Sequence, residues 1–268
     1  MSIDHISEII IRVAKQEILP RFKNLSQEDI MAKSPGDMVS IADIETEKVL
    51  SKELNRLFPE ALVAGEETIA HNPALLKAAI SAAHSFLIDP VDGTNNFIKG
   101  DEKFALMLTE LRHGEVVSAW IYLPVSDKIA IAEKNSGAFI NGKRIKIISR
   151  GFNPKEMTGA AHINRFPEDL RATAKENLQS FKLNRPAFCA GYDYISLVEG
   201  RKDFSVYYRT LPWDHLPGSL IFMESGGYVR TLFDEKNYVV QDQDKGLLSA
   251  ADKEQWQEIR EIIFPNIY

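Results

Sequence analysis

Apolar residues at the start of the chain recur every three or four positions, which is the spacing of a helix that buries one face. The pattern is carried by Ile3, Ile6, Ile9, Ile10 and Val13. It predicts an amphipathic helix over residues 4–18 that ends near Pro20. A second helix is predicted over residues 43–57, because its leucines share one face and Pro59 lies just beyond its end.

Short continuous apolar runs come next, and such runs are typical of buried strands. Residues 61–64 and 86–89 each lead into acidic residues, so each predicted strand delivers carboxylates at its carboxyl end. Pro90 and Gly93 predict that the second of these strands stops and turns. Further strands are predicted over residues 104–110, 116–122 and 128–133, and a hairpin over residues 137–147 that turns at Asn141-Gly142.

The second half of the chain mixes helices and strands, so the predicted fold class is α+β. Gly151-Phe152-Asn153-Pro154 predicts a boundary between two subdomains, residues 1–150 and 151–268. The elements predicted after it are helices over 167–180 and 191–199, a strand over 203–208 and a helix from near Asp214 to Gly226-Gly227. Pro217 is expected in the first turn of the last helix, which would place Asp214 at the amino terminus of that helix.

The composition narrows the classes of protein to which the chain can belong. Of its 268 residues, 44% are hydrophobic and 26% are charged, which excludes a disordered chain. The net charge of −6 argues against a broad surface for nucleic acid. One cysteine cannot form an internal disulfide, the first residues do not resemble a signal peptide, and no apolar run approaches the ~20 residues of a membrane span. We therefore expect a cytoplasmic protein that does not cross a membrane.

Several motifs of known chemistry are incomplete in this chain. Residues 137–143 have the spacing of a phosphate-binding loop, but Arg144 replaces the hydroxyl that would bind magnesium and a strand pattern follows. The six histidines include no pair three or four residues apart, so a helix-borne zinc site is not expected. The Gly-x-Ser-x-Gly motif is also missing, which removes the signal of a serine hydrolase.

Four acidic residues stand out because each lies at a predicted turn or element end. They are Glu66, Asp89, Asp92 and Asp214. Taken singly, each of these residues is more simply interpreted as a turn or cap residue than as a metal ligand. Together they form a set of oxygen ligands, which suits Mg²⁺, and no contiguous loop of the calcium-binding kind is visible. The turn after Asp92 and the short helix predicted over residues 94–97 would direct backbone N–H groups at an anion such as phosphate.

The segments that contain these acids resemble the signature segments of the inositol monophosphatase family. They are Gly65-Glu66-Glu67, Asp89-Pro90-Val91-Asp92-Gly93-Thr94-Asn95-Asn96-Phe97 and Trp213-Asp214-His215-Leu216-Pro217-Gly218. Lys33-Ser34-Pro35-Gly36-Asp37, which leads into Asp43, resembles a fourth. The resemblance implies a layered α/β/α/β/α sandwich of the sugar-phosphatase type, magnesium-dependent hydrolysis of a phosphomonoester, sensitivity to lithium, and a homodimer.

The resemblance also implies a role for each matching residue. The implied ligands of two or three Mg²⁺ ions are Glu66, Asp89, the Val91 carbonyl, Asp92 and Asp214. The implied catalytic residues, which would position and activate the attacking water, are Glu66, Thr94 and Asp43. The implied substrate contacts are Asp92, Gly93, Thr94, Ala190 and Asp214, with the Gly93 and Thr94 amides receiving the phosphate.

One position departs from the family's pattern. Members that act on inositol phosphates commonly carry an acid about seven residues before the position of Asp214, and this chain has Tyr207 there. With Arg209 nearby, the phenol of Tyr207 suits a substrate that has either a different pattern of hydroxyl groups or a second anionic group. An equal interpretation is that Tyr207 is a packed residue of a strand. Inositol 1-phosphate is the leading substrate, with fructose-1,6-bisphosphate, 3′-phosphoadenosine 5′-phosphate and histidinol phosphate as alternatives.

A function from a different class stays open beside the enzyme. The resemblance includes the bacterial extragenic-suppressor branch of the family, which is associated with the transcription machinery. A regulatory binding protein is therefore the alternative, although the complete ligand set favours an enzyme. Direct binding of nucleic acid is not expected from the acidic net charge.

Overall fold

The computed structural model describes the backbone of residues 3–34 and 37–265, and the side chains of these residues except 34 and 37. Pro35 and Gly36, which belong to the fourth segment of the family resemblance, lie outside the described residues. In the part of the chain that is described, no helix combines the length and the apolar character that a membrane span requires.

The described residues contain α-helices in both halves of the chain. The α-helices are α1 (Ile3–Val13), α2 (Ile41–Leu57), α3 (Glu66–His71), α4 (Ala74–Ser81), α5 (Thr94–Ile98), α6 (Glu168–Asn177), α7 (Ala190–Val198), α8 (Pro212–Glu224) and α9 (Lys253–Ile263). Shorter 3₁₀ turns are Leu19–Arg21, Gln27–Asp29, Pro154–Glu156, Ile163–Arg165 and Leu178–Ser180. A π-helical turn, Ala14–Ile18, extends α1, so the helix predicted over residues 4–18 is confirmed.

The strands form one hairpin and two sheets. Their bounds are β1 (Ile30–Ser34), β2 (Asp37–Ser40), β3 (Leu62–Gly65), β4 (His84–Asp92), β5 (Ala105–Arg112), β6 (Glu115–Leu123), β7 (Lys128–Glu133), β8 (Gly137–Ile140), β9 (Lys143–Ile145), β10 (Thr158–Ala161), β11 (Leu183–Asn184), β12 (Phe204–Tyr207), β13 (Tyr228–Thr231) and β14 (Leu247–Ala250). β1 pairs with β2. The larger sheet has the order β3-β4-β5-β6-β7-β8-β9, and the smaller has the order β11-β10-β12-β14-β13.

Helices and sheets stack in five layers. α1 and α2 cover one face of the larger sheet, around a core that includes Ile10, Leu50 and Trp120. α7 and α8 lie between the two sheets and contact both of them. α6 and α9 cover the far face of the smaller sheet, around Trp256. The α/β/α/β/α sandwich that the family resemblance predicts is therefore confirmed.

Side-chain alternation along β4 explains how one strand contributes to two layers. Phe86 and Ile88 belong to the core under α1 and α2, whereas Leu87 belongs to the core under α7 and α8. Successive side chains of a strand point to opposite faces of the sheet. A strand buried on both faces therefore appears in the sequence as a continuous apolar run, as in residues 86–88.

β4 does not stop at Asp89, so the predicted end of this strand is wrong. It continues through Pro90 to Asp92 with a bulge: Asp89 pairs with Met107 and Asp92 with Ala105, three steps on β4 against two on β5. The bulge interrupts the hydrogen-bond ladder and removes the need for the N–H that proline lacks. It also turns Asp89 and Asp92 to the same face of the sheet, the one that carries α7 and α8.

The prediction that Pro217 lies in the first turn of its helix is also wrong. α8 begins at Pro212, which takes the first helical position, and Pro217 lies in the second turn. A proline there removes one helical hydrogen bond, which tertiary packing has to offset, and Pro217 is buried. Asp214 is accordingly the third residue of the helix and not its cap.

The other predicted elements of the second half are confirmed as α6, α7 and β12. No pattern predicted α3, α4, α9, β10, β13 or β14. The chain passes from the larger sheet to the smaller one between β9 and β10, close to residues 150–154. However, α7 and α8 of the second half pack against β5 and β6 of the first half. The division into subdomains 1–150 and 151–268 stays a prediction.

Gly218 offers a test of how tightly α7 and α8 pack. A Cβ atom at this position would lie 1.9 Å from Cδ2 of Tyr194 in α7. Alanine favours a helix over glycine by about 1 kcal/mol, but overpacking of this kind costs roughly 1–3 kcal/mol or more. We expect Gly218→Ala to lower the free energy of unfolding by about 1 kcal/mol or more, measured by urea denaturation.

The matched control for this substitution is Met223→Ala, which lies on the same helix but is 38% exposed. It should shift the urea midpoint less than Gly218→Ala does. A Gly218→Ala protein at least as stable as the parent would contradict the close approach of the two helices.

Candidate functional site

Three carboxylates from distant parts of the chain meet at one end of the larger sheet. One oxygen each of Glu66, Asp89 and Asp214 lies within 4.8 Å of the other two. β3 and β4 are parallel, with Gly65 opposite Ile88, so their carboxyl ends lie side by side. Glu66 follows β3 directly, which brings it beside Asp89. Asp214 comes from the first turn of α8, which crosses β4 and β5.

Asp92 lies beside these three acids and is held by α7. Its Oδ2 accepts hydrogen bonds from the Gly191 N–H at 2.6 Å and from Cys189 Sγ at 3.1 Å. Burial raises the pKa of Asp92, while its hydrogen bonds from Gly191 and Cys189 oppose the rise. Asp92 therefore connects the acids to the start of α7, where Ala190 is the first residue.

The acidic cluster, defined as Glu66, Asp89 and Asp214, is electrostatically unfavourable without a counter-charge. Burial raises the pKa of Asp89 well above its usual value, and the Glu66 and Asp92 carboxylates raise it further. The pKa of Asp214 is raised by burial and then by the same two neighbours. Asp89 Oδ1 is buried and has no hydrogen-bond partner among the described residues. Closely spaced buried carboxylates ionise together only beside positive charge, and an oxygen-only donor set suits a hard divalent cation.

Asp43 is held at the amino end of α2 by a capping box. Its Oδ2 accepts hydrogen bonds from Ser40 N at 2.9 Å and Ser40 Oγ at 2.6 Å. This cap explains why α2 begins at Ile41, before the predicted start. Burial raises the pKa of Asp43 to about 6, although the hydrogen bonds from Ser40 lower it. The other oxygen, Oδ1, accepts a hydrogen bond from Thr94 Oγ1 at 3.0 Å.

Thr94 begins α5 directly after the bulge in β4. Its Oγ1 lies 3.0 Å from Asp43 Oδ1 and 3.0 Å from the Val91 carbonyl oxygen. Because the hydroxyl has one hydrogen for these acceptors, its lone pairs remain available to a water molecule. Gly93 caps the helix with φ of +86°, and a Cβ atom there would lie 2.9 Å from the Lys103 carbonyl oxygen. Glycine is therefore required at the turn that carries the Gly93 and Thr94 amides.

The sequence analysis predicted no contact with Glu66 for the charged residues that surround it. Lys33 Nζ lies 2.8 Å from Glu66 Oε1 and 2.5 Å from Glu67 Oε1. Glu47 accepts hydrogen bonds from the Glu67 and Thr68 N–H groups and so fixes the start of α3. Burial raises the pKa of Glu67 to about 7, against the lowering effect of Lys33. No spacing rule relates a lysine at position 33 to acids so far along the chain.

A pocket of about 570 Å³ lies beside Asp92 and Asp214. Its wall also includes Ala190 at the start of α7, Tyr207 at the end of β12, and Arg209. The volume is within the range of small-molecule sites. Two of the four predicted acids and the predicted substrate contact Ala190 therefore share one cavity.

Tyr207 is a packed residue of this wall, as one of the two interpretations of the sequence proposed. It is 5% exposed, and its ring centroid lies 4.6 Å from that of His162 and 4.3 Å from that of His215. Its hydroxyl is buried and has no partner among the described residues. A direct contact between Tyr207 and a substrate stays a prediction.

The fold and the acidic pocket together define a layered α+β protein of the sugar-phosphatase type. Residues 2–263 match the model of the inositol monophosphatase family. The chain therefore belongs to the inositol monophosphatase family, whose members are metal-dependent hydrolases of phosphomonoesters.

Relatives of known name cover most of the chain. The fructose-1,6-bisphosphatase/inositol-1-monophosphatase of Aquifex aeolicus is 29% identical over 238 residues, which is 86% of this chain and 85% of that protein. The Nus factor SuhB of Xylella fastidiosa is 27% identical over 230 residues, 81% of this chain and 78% of that protein. The crystal structure of the extragenic suppressor protein suhB from Bartonella henselae has a TM-score of 0.83 at 23% identity, over 98% of this chain and 100% of that one, and supports the fold.

The repulsion within the acidic cluster predicts an unusual effect of Asp89→Asn. Because the folded-state pKa of Asp89 is raised, its ionisation costs stability as the pH rises from the ordinary value of 3.8 through the folded pKa. In EDTA at pH 8 we expect the variant to have a higher Tm by about 2 °C or more, which is roughly 1 kcal/mol for a chain of this size. The gain should shrink as the pH falls toward 4, and excess Mg²⁺ should abolish it.

Asp234→Asn is the control with the opposite sign. Its hydrogen bond from Thr231, followed by its contacts with lysines, lowers the pKa of Asp234 to about 2. Its ionised form therefore stabilises the fold above about pH 4, and its replacement should lower Tm at pH 8. A lower Tm for Asp89→Asn in EDTA would contradict the repulsion described here.

Proposed function

We propose that the chain is a Mg²⁺-dependent phosphomonoesterase that hydrolyses a small phosphorylated polyol, with inositol 1-phosphate as the leading substrate. The single observation that carries the proposal is the convergence of Glu66, Asp89 and Asp214 within 4.8 Å, with Asp214 in the wall of a pocket for a small molecule. The relative from Aquifex aeolicus, named for two phosphatase activities, supports the same class of reaction.

The acidic cluster fits a hard cation through its donor chemistry. Glu66, Asp89 and the Val91 carbonyl would hold a first Mg²⁺, and Asp89, Asp92 and Asp214 a second, with a third and weaker ion near Glu66. The unpartnered Oδ1 of Asp89 supports this assignment. When bound, the cations would supply positive charge that neutralises the phosphate and favours ionisation of the attacking water.

The protein's own groups would orient the reaction. Thr94 Oγ1, with its hydrogen engaged by Asp43 or the Val91 carbonyl, can accept a hydrogen bond from the attacking water. Glu66 would take the proton that this water loses. The water oxygen bonds to phosphorus, the ester P–O bond breaks, and the departing alkoxide takes a proton from solvent, so that an alcohol and inorganic phosphate result. The Gly93 and Thr94 amides would hold the phosphate oxygens during this exchange.

A regulatory role is the second candidate function. It is favoured by the similarity to the Nus factor SuhB of Xylella fastidiosa over 81% of this chain. We also propose, from the family resemblance, that the protein is a cytoplasmic homodimer. A regulatory role does not account for the acidic cluster, whereas a metal-dependent enzyme does.

Substitutions in the acidic cluster test the enzyme most directly. Asp89→Asn and Asp214→Asn each remove a charge that the proposed cations require, so kcat/KM for inositol 1-phosphate should fall by about 100-fold or more in excess Mg²⁺.

Thr94→Ala should lower kcat by roughly 100-fold, whereas Thr94→Ser, which keeps the hydroxyl, should retain most of it. Phosphate release is the measurement, and Asp234→Asn is the control. Near-normal turnover by Asp89→Asn would refute the assignment.

Metal removal separates the enzyme from the regulatory protein. We expect phosphate release from a panel of monoesters to disappear in EDTA and to return when Mg²⁺ is added, because the acids cannot hold a phosphate without positive charge between them. The panel consists of inositol 1-phosphate, fructose-1,6-bisphosphate, 3′-phosphoadenosine 5′-phosphate and histidinol phosphate. No turnover of any of these in Mg²⁺ would favour the regulatory role.

A further inference from the structure

Two buried acids of α2 each hold the start of a different segment of the site. Asp43 and Glu47 are four residues apart, so they lie on the same side of the helix, and they are 2% and 3% exposed. Asp43 accepts a hydrogen bond from the Thr94 hydroxyl at 3.0 Å. Glu47 accepts hydrogen bonds at the start of α3, the helix that begins with Glu66. The two groups that are proposed to handle the attacking water are therefore tied to one helix.

Glu47 supplies the cap that α3 lacks. The first N–H groups of a helix have no partner within it, and a polar side chain at the N-cap commonly accepts one of them. Gly65 is the N-cap of α3 and has no side chain. Glu47 provides the acceptors instead, with Oε2 at 2.8 Å from the Glu67 nitrogen and Oε1 at 3.0 Å from the Thr68 nitrogen. This paired contact fixes the first turn of α3 and with it the backbone of Glu66.

Gly65 is needed for space and not for its backbone conformation. Its φ of −116° and ψ of 171° are extended values that any residue adopts. A Cβ atom there would lie 2.6 Å from Cγ of Glu47 and closer still to its carboxylate, whereas carbon atoms normally pack about 3.5–4.0 Å apart. The buried carboxylate cannot move aside without losing its hydrogen bonds to α3. A side chain at position 65 would therefore displace Glu47.

The charge of Glu47 makes it a costly choice for a helix cap alone. Burial raises the pKa of Glu47, its hydrogen bonds from Glu67 and Thr68 oppose the rise, and the Glu66 carboxylate adds to it. A neutral cap would avoid both the burial of an acid and the repulsion from the acidic cluster. Departures of this kind from the most stable local choice are expected at functional sites.

We propose that Glu47 is a positioning residue of the cation site, which sets Glu66 in register with Thr94 through α2, and that Gly65 is required because it leaves room for the Glu47 carboxylate. This inference rests on the proposed function. Glu47 acts through the backbone of α3, since each of its oxygens already accepts an N–H group. Ligands and catalytic groups have to be held within about 0.5 Å of the productive geometry, so loss of this support should weaken the site without removing a ligand.

The test measures binding of Mn²⁺ to the metal-free protein by electron paramagnetic resonance, because Mn²⁺ accepts the same oxygen ligands as Mg²⁺. Glu47→Ala should weaken Mn²⁺ binding by about tenfold or more and lower kcat for inositol 1-phosphate by a similar factor. KM in excess Mg²⁺ should change less, since the Gly93 and Thr94 amides are proposed to hold the phosphate. Glu47→Gln keeps one acceptor oxygen and should retain part of the affinity for Mn²⁺.

A double-mutant cycle tests the role of Gly65. Gly65→Ala alone should weaken Mn²⁺ binding by about tenfold, as Glu47→Ala does, because it displaces the same carboxylate. In the Glu47→Ala background the same change should add less than about twofold, since the new methyl group enters space that the carboxylate has left.

The competing explanation is that Glu47 only stabilises the fold, and Asp252→Ala is the matched control for it. Asp252 caps α9 by accepting a hydrogen bond from the Gln255 N–H at 2.8 Å, on the far face of the smaller sheet. Its replacement should lower the urea midpoint but leave Mn²⁺ binding and kcat unchanged. Near-ultraviolet circular dichroism identifies the folded variants, and Glu47→Gln and Gly65→Ala carry the test if Glu47→Ala does not fold.

Three outcomes would overturn the inference. They are Glu47 and Gly65 variants that bind Mn²⁺ and turn over like the parent, a Gly65→Ala effect that is equally large with and without Glu47, and an Asp252→Ala protein that loses as much Mn²⁺ affinity. The proposed function fails separately if Mn²⁺ binding depends on Glu47 but no phosphate is released from any monoester. A parent protein that binds no Mn²⁺ would contradict both.

Discussion

The mutual repulsion of three closely spaced carboxylates, one buried and two half-buried, is the constraint on which the site depends. Glu66, Asp89 and Asp214 lie within 4.8 Å of one another, in a position that costs free energy unless positive charge lies among them. The layers of helix and sheet on either side have to hold this arrangement. Parallel pairing of β3 with β4 and the placement of α8 between the sheets impose it, since neither element can move without opening a hydrophobic core.

Both sheets contribute to the surroundings of the acidic cluster and the pocket. The larger sheet carries Asp89 and Asp92, and the helices beside it supply Asp43 and Thr94. The smaller sheet supplies the far wall of the pocket through the residues that follow β10 and β12. Tyr207 of this wall packs in the same hydrophobic core as Leu87 of β4, so the two sheets are connected through the layer of α7 and α8.

Local patterns predicted the elements well where apolar residues repeat regularly or form a continuous run. They predicted the elements poorly where tertiary packing overrides the local preference of a residue. The helices at 4–18 and 43–57 follow from periodicity, because burial of one face leaves a repeat in the sequence. β4 follows from a continuous apolar run, because it is buried on both faces. The predictions made from Pro90 and Pro217 are wrong for one reason. Proline signals a break by its missing N–H, but a bulge in the first case and buried packing in the second make that loss tolerable.

The sequence by itself determined which chemical groups are available: oxygen ligands rather than nitrogen or sulfur, a glycine at the turn, and segments that resemble one family. Those properties belong to residue types and to short spacings, which a chain carries without folding. Only the tertiary structure decided which groups share a site. The pairing of Lys33 with Glu66 and the convergence of Glu66, Asp89 and Asp214 both depend on contacts between residues distant in the chain, and such contacts exist only after the layers have packed.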